Sequence, residues 1–458
     1  MKSPVKDPSD VSSYRAIAGS SLLLKLFEKV ILILRGHLLS SDSLQFGFKA
    51  NTSTTQCTWL VSEVVQHLLR AGTNPIVTVL DCTKAFDLCK FSILFQKLLD
   101  TGLPPIIVRC LMYMYENQYG CVCWGKTKSD NFPITNGTRQ GSILSPFFWA
   151  IYCDDLIKEL RKLGVGAHVA GLFMGIACYA DDVVLIAPCR QAMDLMLAKV
   201  EEYAIRHNIS FSTDPCPAKS KSKCIFVCGK NRRLRKPAPL VLCGNELPWV
   251  ESATHLGHEL HESGTMDNDA VIKRATFISK SVEVRNTFSW ASPADIIQAI
   301  QVYCSDFYGA MLWNLSGEKA NQVYTAWVTA IKLAWDCPRW TKTFLVQQVL
   351  ADGFTSAKVN ILSRYCTLAR GLKLSVSKEI RTLFNLVSRD LQSTTGQNLN
   401  LVKKCSKLDP LLFGAYRIKE RLKENEMVEI DRRDLWRIPY LRSLLGHILG
   451  CGMLGRWC

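Results

Sequence analysis

Three aspartates carry the chemistry this sequence offers. Asp181 and Asp182 stand side by side between two apolar runs, Gly175-Ile176-Ala177-Cys178-Tyr179 and Val183-Val184-Leu185-Ile186-Ala187, the second closed by Pro188. Short β-branched runs bounded by breakers read as buried strands, which places Ala180-Asp181-Asp182 at the tip of a tight hairpin. Two carboxylates at the end of an apolar hairpin repel each other and resist desolvation. A hard divalent cation with oxygen ligands would neutralise them. Taken alone, the Asp-Asp dipeptide reads as a solvated turn. The third acid, Asp81, follows the β-branched run Ile76-Val77-Thr78-Val79-Leu80, and a carboxylate at the C-terminal end of a buried strand is a common place for a site.

Between these acids lies a polar, glycine-punctuated loop, Asn136-Gly137-Thr138-Arg139-Gln140-Gly141-Ser142, followed by Ser145-Pro146. Ser145 is expected as the N-cap, and Pro146 in the first turn, of a helix through Phe148, Ile151, Tyr152, Leu156 and Leu160. Such a loop can offer backbone N–H groups to a phosphate; an ordinary helix start fits it equally well. If the three carboxylates meet, they can hold two divalent metals. Such a pair activates a 3′-hydroxyl, stabilises a pentacovalent phosphate and neutralises a leaving pyrophosphate. The spacing from Asp81 to Asp181 is not diagnostic, whereas the ordered set of strand acid, glycine loop and acidic hairpin is.

Other elements must position these groups. Ser21 to Leu39 has apolar residues at helical spacing broken by Lys25, Glu28, Lys29 and Arg35, and reads as an amphipathic core helix. After Gln45-Phe46-Gly47-Phe48, Thr52 or Ser53 is expected to cap a helix through Trp59, Val61, Val64, Val65 and Leu68 to Leu69. The strand at Ile76 is expected to end on Asp81, with Cys82 to Asp87 turning into a helix over Phe91 to Leu99. A further helix is expected over Ala192 to Ile205, and short strands at Ile209 to Ser212, Cys224 to Val227, Leu247 to Val250 and around Thr254 to His258. From Asn268 onward the pattern is helical, with Ser292 opening one helix in a capping box. The tryptophans of the last stretch, Trp340 to Cys458, read as core.

The 458 residues allow two or three domains, and 48% apolar with 21% charged residues is a folded composition. A net charge of +16 points to a polyanionic partner. The basic stretch from Lys219 to Lys236 holds eight Lys and Arg residues and no acid, which suits contact with a phosphate backbone. No run reaches the ~18 uninterrupted apolar residues of a membrane span, and no secretory signal is visible. The nineteen cysteines are scattered and odd in number. Residues such as Cys110, Cys153, Cys178 and Cys304 read as reduced core thiols of a nuclear or cytoplasmic protein that is not secreted.

With these residues in view, the chain resembles the reverse transcriptase region of a non-LTR (LINE-type) retrotransposon polyprotein. The resemblance runs over about residues 4 to 260. It rests on Tyr14-Arg15-Ala16-Ile17, Phe46-Gly47-Phe48, Leu80-Asp81-Cys82-Thr83-Lys84-Ala85-Phe86-Asp87, Arg139-Gln140-Gly141-Ser142-Ile143-Leu144-Ser145-Pro146 and Tyr179-Ala180-Asp181-Asp182. The lysine-bearing Phe211-to-Val227 segment and His255-Leu256-Gly257 complete it. It implies an α+β right-hand polymerase: a fingers-like region (1–75), a palm with an antiparallel sheet (76–228), primer-grip-like strands (229–262), thumb-like helices (263–345) and a helical region of unknown role (346–458).

The resemblance further implies an RNA-directed DNA polymerase acting on an RNA template, a DNA primer and dNTPs. Asp81, Asp181 and Asp182 would bind two Mg²⁺ ions, with Mn²⁺ as an alternative. Phe86 would be the steric gate against a ribose 2′-hydroxyl, a core phenylalanine being the other reading. Arg15, Gln140, Gly141 and Tyr179 would line the nucleotide and template side. Lys219 would assist pyrophosphate departure, with Lys221 and Lys223 competing for that role, and His255, Leu256 and Gly257 would hold the primer end. Thr83 and Thr138 replace residues more often serine and valine in such motifs. With no endonuclease ahead of Met1 and no Cys-Cys-His-Cys knuckle near the C-terminus, the expectation covers the polymerase, not a whole integration cycle. The alternatives are a catalytically silent, nucleic-acid-binding retroelement remnant and, more weakly, a metal-dependent nuclease.

Overall fold

The computed structural model describes residues 14, 17–83, 85–139, 141–216, 219–229, 235–338, 340–341 and 355–426. The fold mixes helix and sheet, and its organising element is strand β1, Ile76–Thr83. Successive side chains of a strand point to opposite faces, yet Ile76 to Leu80 are all buried, so both faces of the sheet are covered. β1 pairs antiparallel with β3 (Asp182–Ala187), which forms a hairpin with β2 (Ile176–Tyr179). On its other edge β1 pairs antiparallel with β5 (Lys223–Phe226), and beyond Asp81 with the short β4 (Ser210–Phe211). A parallel strand, β6 (Trp249–Val250), closes the order β6-β5-β1-β3-β2. A separate hairpin, β7 (Ser252–His255) and β8 (His258–His261), follows.

Helix α1 spans Leu22–Arg35 and α2 spans Thr54–Arg70. Of the two expected caps for α2, Ser53 is the one used: its Oγ accepts from Gln56 N at 3.2 Å. α2 is buried along most of its length and packs against β2 and β3. Helices α3 (Phe91–Asp100), α4 (Pro105–Glu116) and α5 (Ser145–Lys162) share an apolar cluster with Phe148, Trp149, Tyr152 and Tyr115 at its centre. α6 (Arg190–His207) packs against β3. Among the described residues no helix is long and apolar enough to cross a membrane.

By contacts, the chain divides into two compact units. The first comprises Met1–Lys273, Tyr308–Ala320 and Thr367–Asn400; the second comprises Arg274–Phe307, Asn321–Cys366 and Leu401–Cys458. Part of the helical C-terminal region therefore belongs with the sheet. Lys378–Val387 buries Ile380, Leu383, Phe384 and Val387, one helical stripe, and Phe384 lies 6.2 Å from Trp59 of α2. Trp59 also donates to Thr395 Oγ1 at 2.9 Å.

Several expectations change. β1 does not end on Asp81 but runs on through Cys82 and Thr83, because β4 supplies ladder partners for them. α1 is not a core helix: Leu22, Leu23, Leu26, Ile33 and Leu34 are all exposed, and the residues it buries are Glu28 and Ile31. Ser145 is the first helical residue rather than the cap, and Leu144 before it makes no capping bond with its side chain. The described cysteines are all free, but Cys110 is exposed instead of buried. Trp340 is also exposed, at 86%, while Trp436 and Trp457 lie outside the described residues.

Candidate active site

The register of the sheet brings two of the three acids together. Asp81 lies directly across from Asp182 in the β1–β3 ladder, a position where side chains are ~5 Å apart, and Asp181 precedes Asp182 at the hairpin tip. Burial, then the charges of Asp181 and Asp81, push the Asp182 carboxyl up to about 6. The cation next to this group is Lys221, whose Nζ is 3.7 Å from Asp81 Oδ2. Among the described residues no three His, Cys, Asp or Glu side chains form a ready-made metal cage. Mg²⁺ retains waters and binds through one or two carboxylates plus substrate phosphates, so an open, anionic pair with a third acid beside it suits that ion.

The hairpin tip is strained and externally braced. Tyr179 pairs with Asp182, leaving Ala180-Asp181 as a two-residue loop with Ala180 at φ +59°, where glycine is the usual residue. Gln45, which is 1% exposed, holds it there. Its Oε1 accepts from Ala180 N at 3.0 Å and from Gly47 N at 2.9 Å. The main chain adds Phe46 N to Cys178 O at 2.7 Å and Cys178 N to Leu44 O at 2.9 Å. A Cβ on Gly47 would sit 2.5 Å from Ala180 N, which is why only glycine fits. Gln45→Ala strands two buried N–H groups, each costing about 1–3 kcal/mol. The expected result is a drop in stability of about 2 kcal/mol by urea melting and a roughly tenfold slower reaction at the acids. An unchanged rate would show that the tip needs no brace.

Several polar groups of the glycine loop, which reads equally well as an anion cradle or an ordinary helix start, are engaged within the protein. Gly137 N donates to Cys89 O at 2.8 Å and Thr138 N to Phe86 O at 2.6 Å. Gly137 has φ +84°, and a Cβ there would meet the Phe86 and Asp87 carbonyls at 2.9 Å. Ser142 Oγ and Ile143 N donate to the two carboxylate oxygens of Glu28, at 2.5 and 2.8 Å. These N–H groups are therefore satisfied within the protein, and Glu28 of α1 occupies the place an anion would take. The loop latches the backbone of Phe86, whose half-buried ring is 5.7 Å from Trp149. Gly141, at φ +113°, passes against the carbonyl of Ala18 at what would be 2.9 Å from a Cβ.

The remaining expected residues separate. Arg15 and Gln140 lie outside the described residues, as do Lys230, Arg232 and Arg233 of the basic stretch. Lys219 is exposed, and it is Lys221, two residues on, that reaches Asp81. Tyr179 has its hydroxyl pKa raised by burial and by its neighbours Tyr308 and Cys57. In the His255-Leu256-Gly257 turn, Leu256 and Gly257 have φ +51° and +77°, the two-residue loop between β7 and β8. The His255 ring is buried rather than offered to a primer; burial and its neighbour His258 lower its pKa to about 4. Gln45 and Glu28 were missed as site residues. Both are polar groups in otherwise structural contexts, Glu28 inside an apolar helix and Gln45 just before Phe46-Gly47-Phe48.

Comparison with known proteins identifies the family. Residues 4–260 match the family model described as reverse transcriptase (RNA-dependent DNA polymerase). The Pol polyprotein of the type-2 retrotransposable element R2DM of Drosophila melanogaster is 25% identical over 46% of this chain and 20% of its own length. The RNA-directed DNA polymerase from the mobile element jockey of Drosophila funebris is 27% identical over 46% of this chain and 24% of its own. The chain thus spans about a quarter or less of the length of these curated relatives. Among solved structures, telomerase from Candida tropicalis with a fragment of telomeric RNA aligns over 90% of this chain and 57% of its own, at 13% identity and a TM-score of 0.38. The paired aspartates, the latched phenylalanine loop and the braced hairpin occur in a chain that belongs to the reverse transcriptase (RNA-dependent DNA polymerase) family, of the kind carried by non-LTR retrotransposons.

Proposed function

We propose that this chain extends a DNA 3′-end on an RNA template, using dNTPs, and that its subdomains follow the fingers, palm and thumb order of a right-hand polymerase. The observation that carries the reading is the cross-strand pair Asp81–Asp182 with Asp181 at the adjoining tip. These three acids would hold two Mg²⁺ ions, with Mn²⁺ as a substitute, and the ions would supply positive charge to the attacking 3′-oxygen and the departing pyrophosphate.

The chain's own residues do the rest. Gln45 and Gly47 keep the tip in one conformation, so the acids face the reacting atoms without reorganising. Lys221, beside Asp81, is placed to meet the pyrophosphate better than Lys219. Lys219, Lys223, Arg235 and Lys236 add a basic surface for the template–primer backbone. Phe86, fixed through its carbonyl by Thr138 N, bars the 2′-hydroxyl of a ribonucleotide. Phe86→Val is expected to raise ribonucleotide over deoxyribonucleotide incorporation at least about tenfold, the ~1–3 kcal/mol of one pocket contact. An unchanged ratio in single-nucleotide extension would return Phe86 to the core.

The direct test of the function is primer extension on a poly(rA)–oligo(dT) duplex with Mg²⁺. Extension by the unaltered chain is the expected result. Salt-sensitive binding of the duplex without extension would mark a folded but silent protein.

A further inference from the structure

Tyr308 lies beyond the matched family region, which ends at residue 260, yet it joins the β7–β8 turn to the start of α2. The backbone around it is strained: Phe307 has φ +42° and Gly309 φ +74°. A bulky aromatic residue in that region costs about 1–3 kcal/mol and persists only where its surroundings impose it. At Gly309, a Cβ would overlap the His258 ring, 1.8 Å from Cε1, so the imidazole rests directly on the glycine backbone. The Tyr308 ring lies flat on His258, with centroids 4.9 Å apart and planes 14° apart.

From there Tyr308 reaches outward. A Cβ on Gly257, at the apex of the β7–β8 turn, would be 3.1 Å from Tyr308 Cε1. The Tyr308 hydroxyl is hydrogen-bonded to Thr54 Oγ1, in the first turn of α2. Burial, and after it the neighbouring Tyr308, raises the pKa of Tyr179, the residue before the Ala180-Asp181-Asp182 tip. Lys273 Nζ stands 5.6 Å from the ring centroid and is committed to Asp269 at 2.8 Å. Despite these attachments, 37% of Tyr308 stays open to solvent. The ring is thus fixed from behind by His258 and left partly open next to the β7–β8 turn.

We propose that Tyr308 is a primer-contacting residue: its open ring carbons meet the terminal nucleotide of the DNA strand where the Leu256–Gly257 turn directs it toward Asp181 and Asp182. The inference rests on the polymerase reading above. Because the hydroxyl is engaged with Thr54, the contact is apolar, made against the deoxyribose and base. Tyr308→Phe keeps it, and Tyr308→Ala loses it.

The test is photo-crosslinking of the unaltered chain to an RNA template annealed to a DNA primer ending in 5-iodo-2′-deoxyuridine, without dNTPs, the adducts being mapped by mass spectrometry. The expected adduct is on Tyr308, and it disappears when the label is moved several nucleotides back from the 3′-end. With the 3′-terminal label, adducts only elsewhere, or none, overturn the proposal. In extension assays, Tyr308→Ala is expected to lower kcat about tenfold with the dNTP KM within about twofold, and Tyr308→Phe to stay within about twofold of the unaltered chain. Equal losses in both variants would also overturn it. Failure of the polymerase reading would appear separately, as no extension by the unaltered chain, and the crosslink map would still decide Tyr308.

Discussion

Asp181→Ala is expected to abolish primer extension, by about a thousandfold or more, while leaving the RNA–DNA duplex bound. The loss follows from the proposed role of the three acids in holding the charge that a transferring phosphate requires. Binding should survive because affinity for a duplex comes mainly from lysine and arginine contacts to phosphates, and those residues lie in the basic stretch rather than at the tip. Removing one negative charge near the duplex would strengthen binding slightly, if anything. The check is a paired measurement of extension rate and of the salt dependence of duplex affinity. Equal extension by the variant and the unaltered chain would place the reaction elsewhere, and loss of binding would show that the tip is needed for the surface rather than the chemistry.

The second large effect concerns stability. In the metal-free protein, Asp182 has its pKa raised from 3.8 to about 6 by burial and by Asp181 and Asp81. A carboxyl whose folded pKa is raised binds a proton in the folded state that the unfolded chain has already released. Its contribution therefore falls as pH rises from about 4 to about 6 and is flat above that. Discounted for solvent screening at this partly open carboxyl, a displacement of that size corresponds to about 1–2 kcal/mol. Asp182→Asn removes the repulsion, so the metal-free variant should melt several degrees higher than the unaltered chain at pH 7.5, with the difference vanishing near pH 4. It should also be inactive.

His255 and His258 act in the opposite sense, since burial lowers both pKa values to about 4. Their contribution is present above the unfolded value of 6.5 and is lost as pH falls toward 4. The difference between the two proteins, not either curve alone, isolates Asp182. Added Mg²⁺ should raise the melting temperature of the unaltered chain at pH 7.5 and have less effect on the variant. Parallel melting curves from pH 4 to 7.5 would mean that the three carboxylates do not share one field. If the expected difference appears, the site is more stable without the charge its proposed reaction needs, the exchange expected where function and stability compete.

What the sequence determined by itself is local. The β-branched runs at Ile76 and Val183, the tight turn around Ala180 to Asp182 and the cap at Ser292 follow from preferences that act within a few residues, and the same preferences narrow the cap of α2 to Thr52 or Ser53. Each was legible because strand pattern, turn length and capping are set by neighbours in the chain. The ordered motifs added the family, and with it the role of the acids.

The tertiary structure decided everything that depends on which distant backbone lies beside a side chain. Gln45 braces Ala180 across 135 positions, and Glu28 caps Ile143 across 115. Neither bond leaves a periodic trace, because a buried polar group is satisfied by whatever the topology brings within 3 Å. For the same reason α1 turns its apolar side outward: its one buried acid is anchored to the glycine loop, and that anchor sets its rotation. Lys219 and Lys221 share the same stretch in composition, and only the path of the chain into β5 selects Lys221 for Asp81. Tyr308 lies outside every motif, and its place against the β7–β8 turn is set by the His258 ring and the Thr54 hydroxyl, contacts that exist only once the chain has folded.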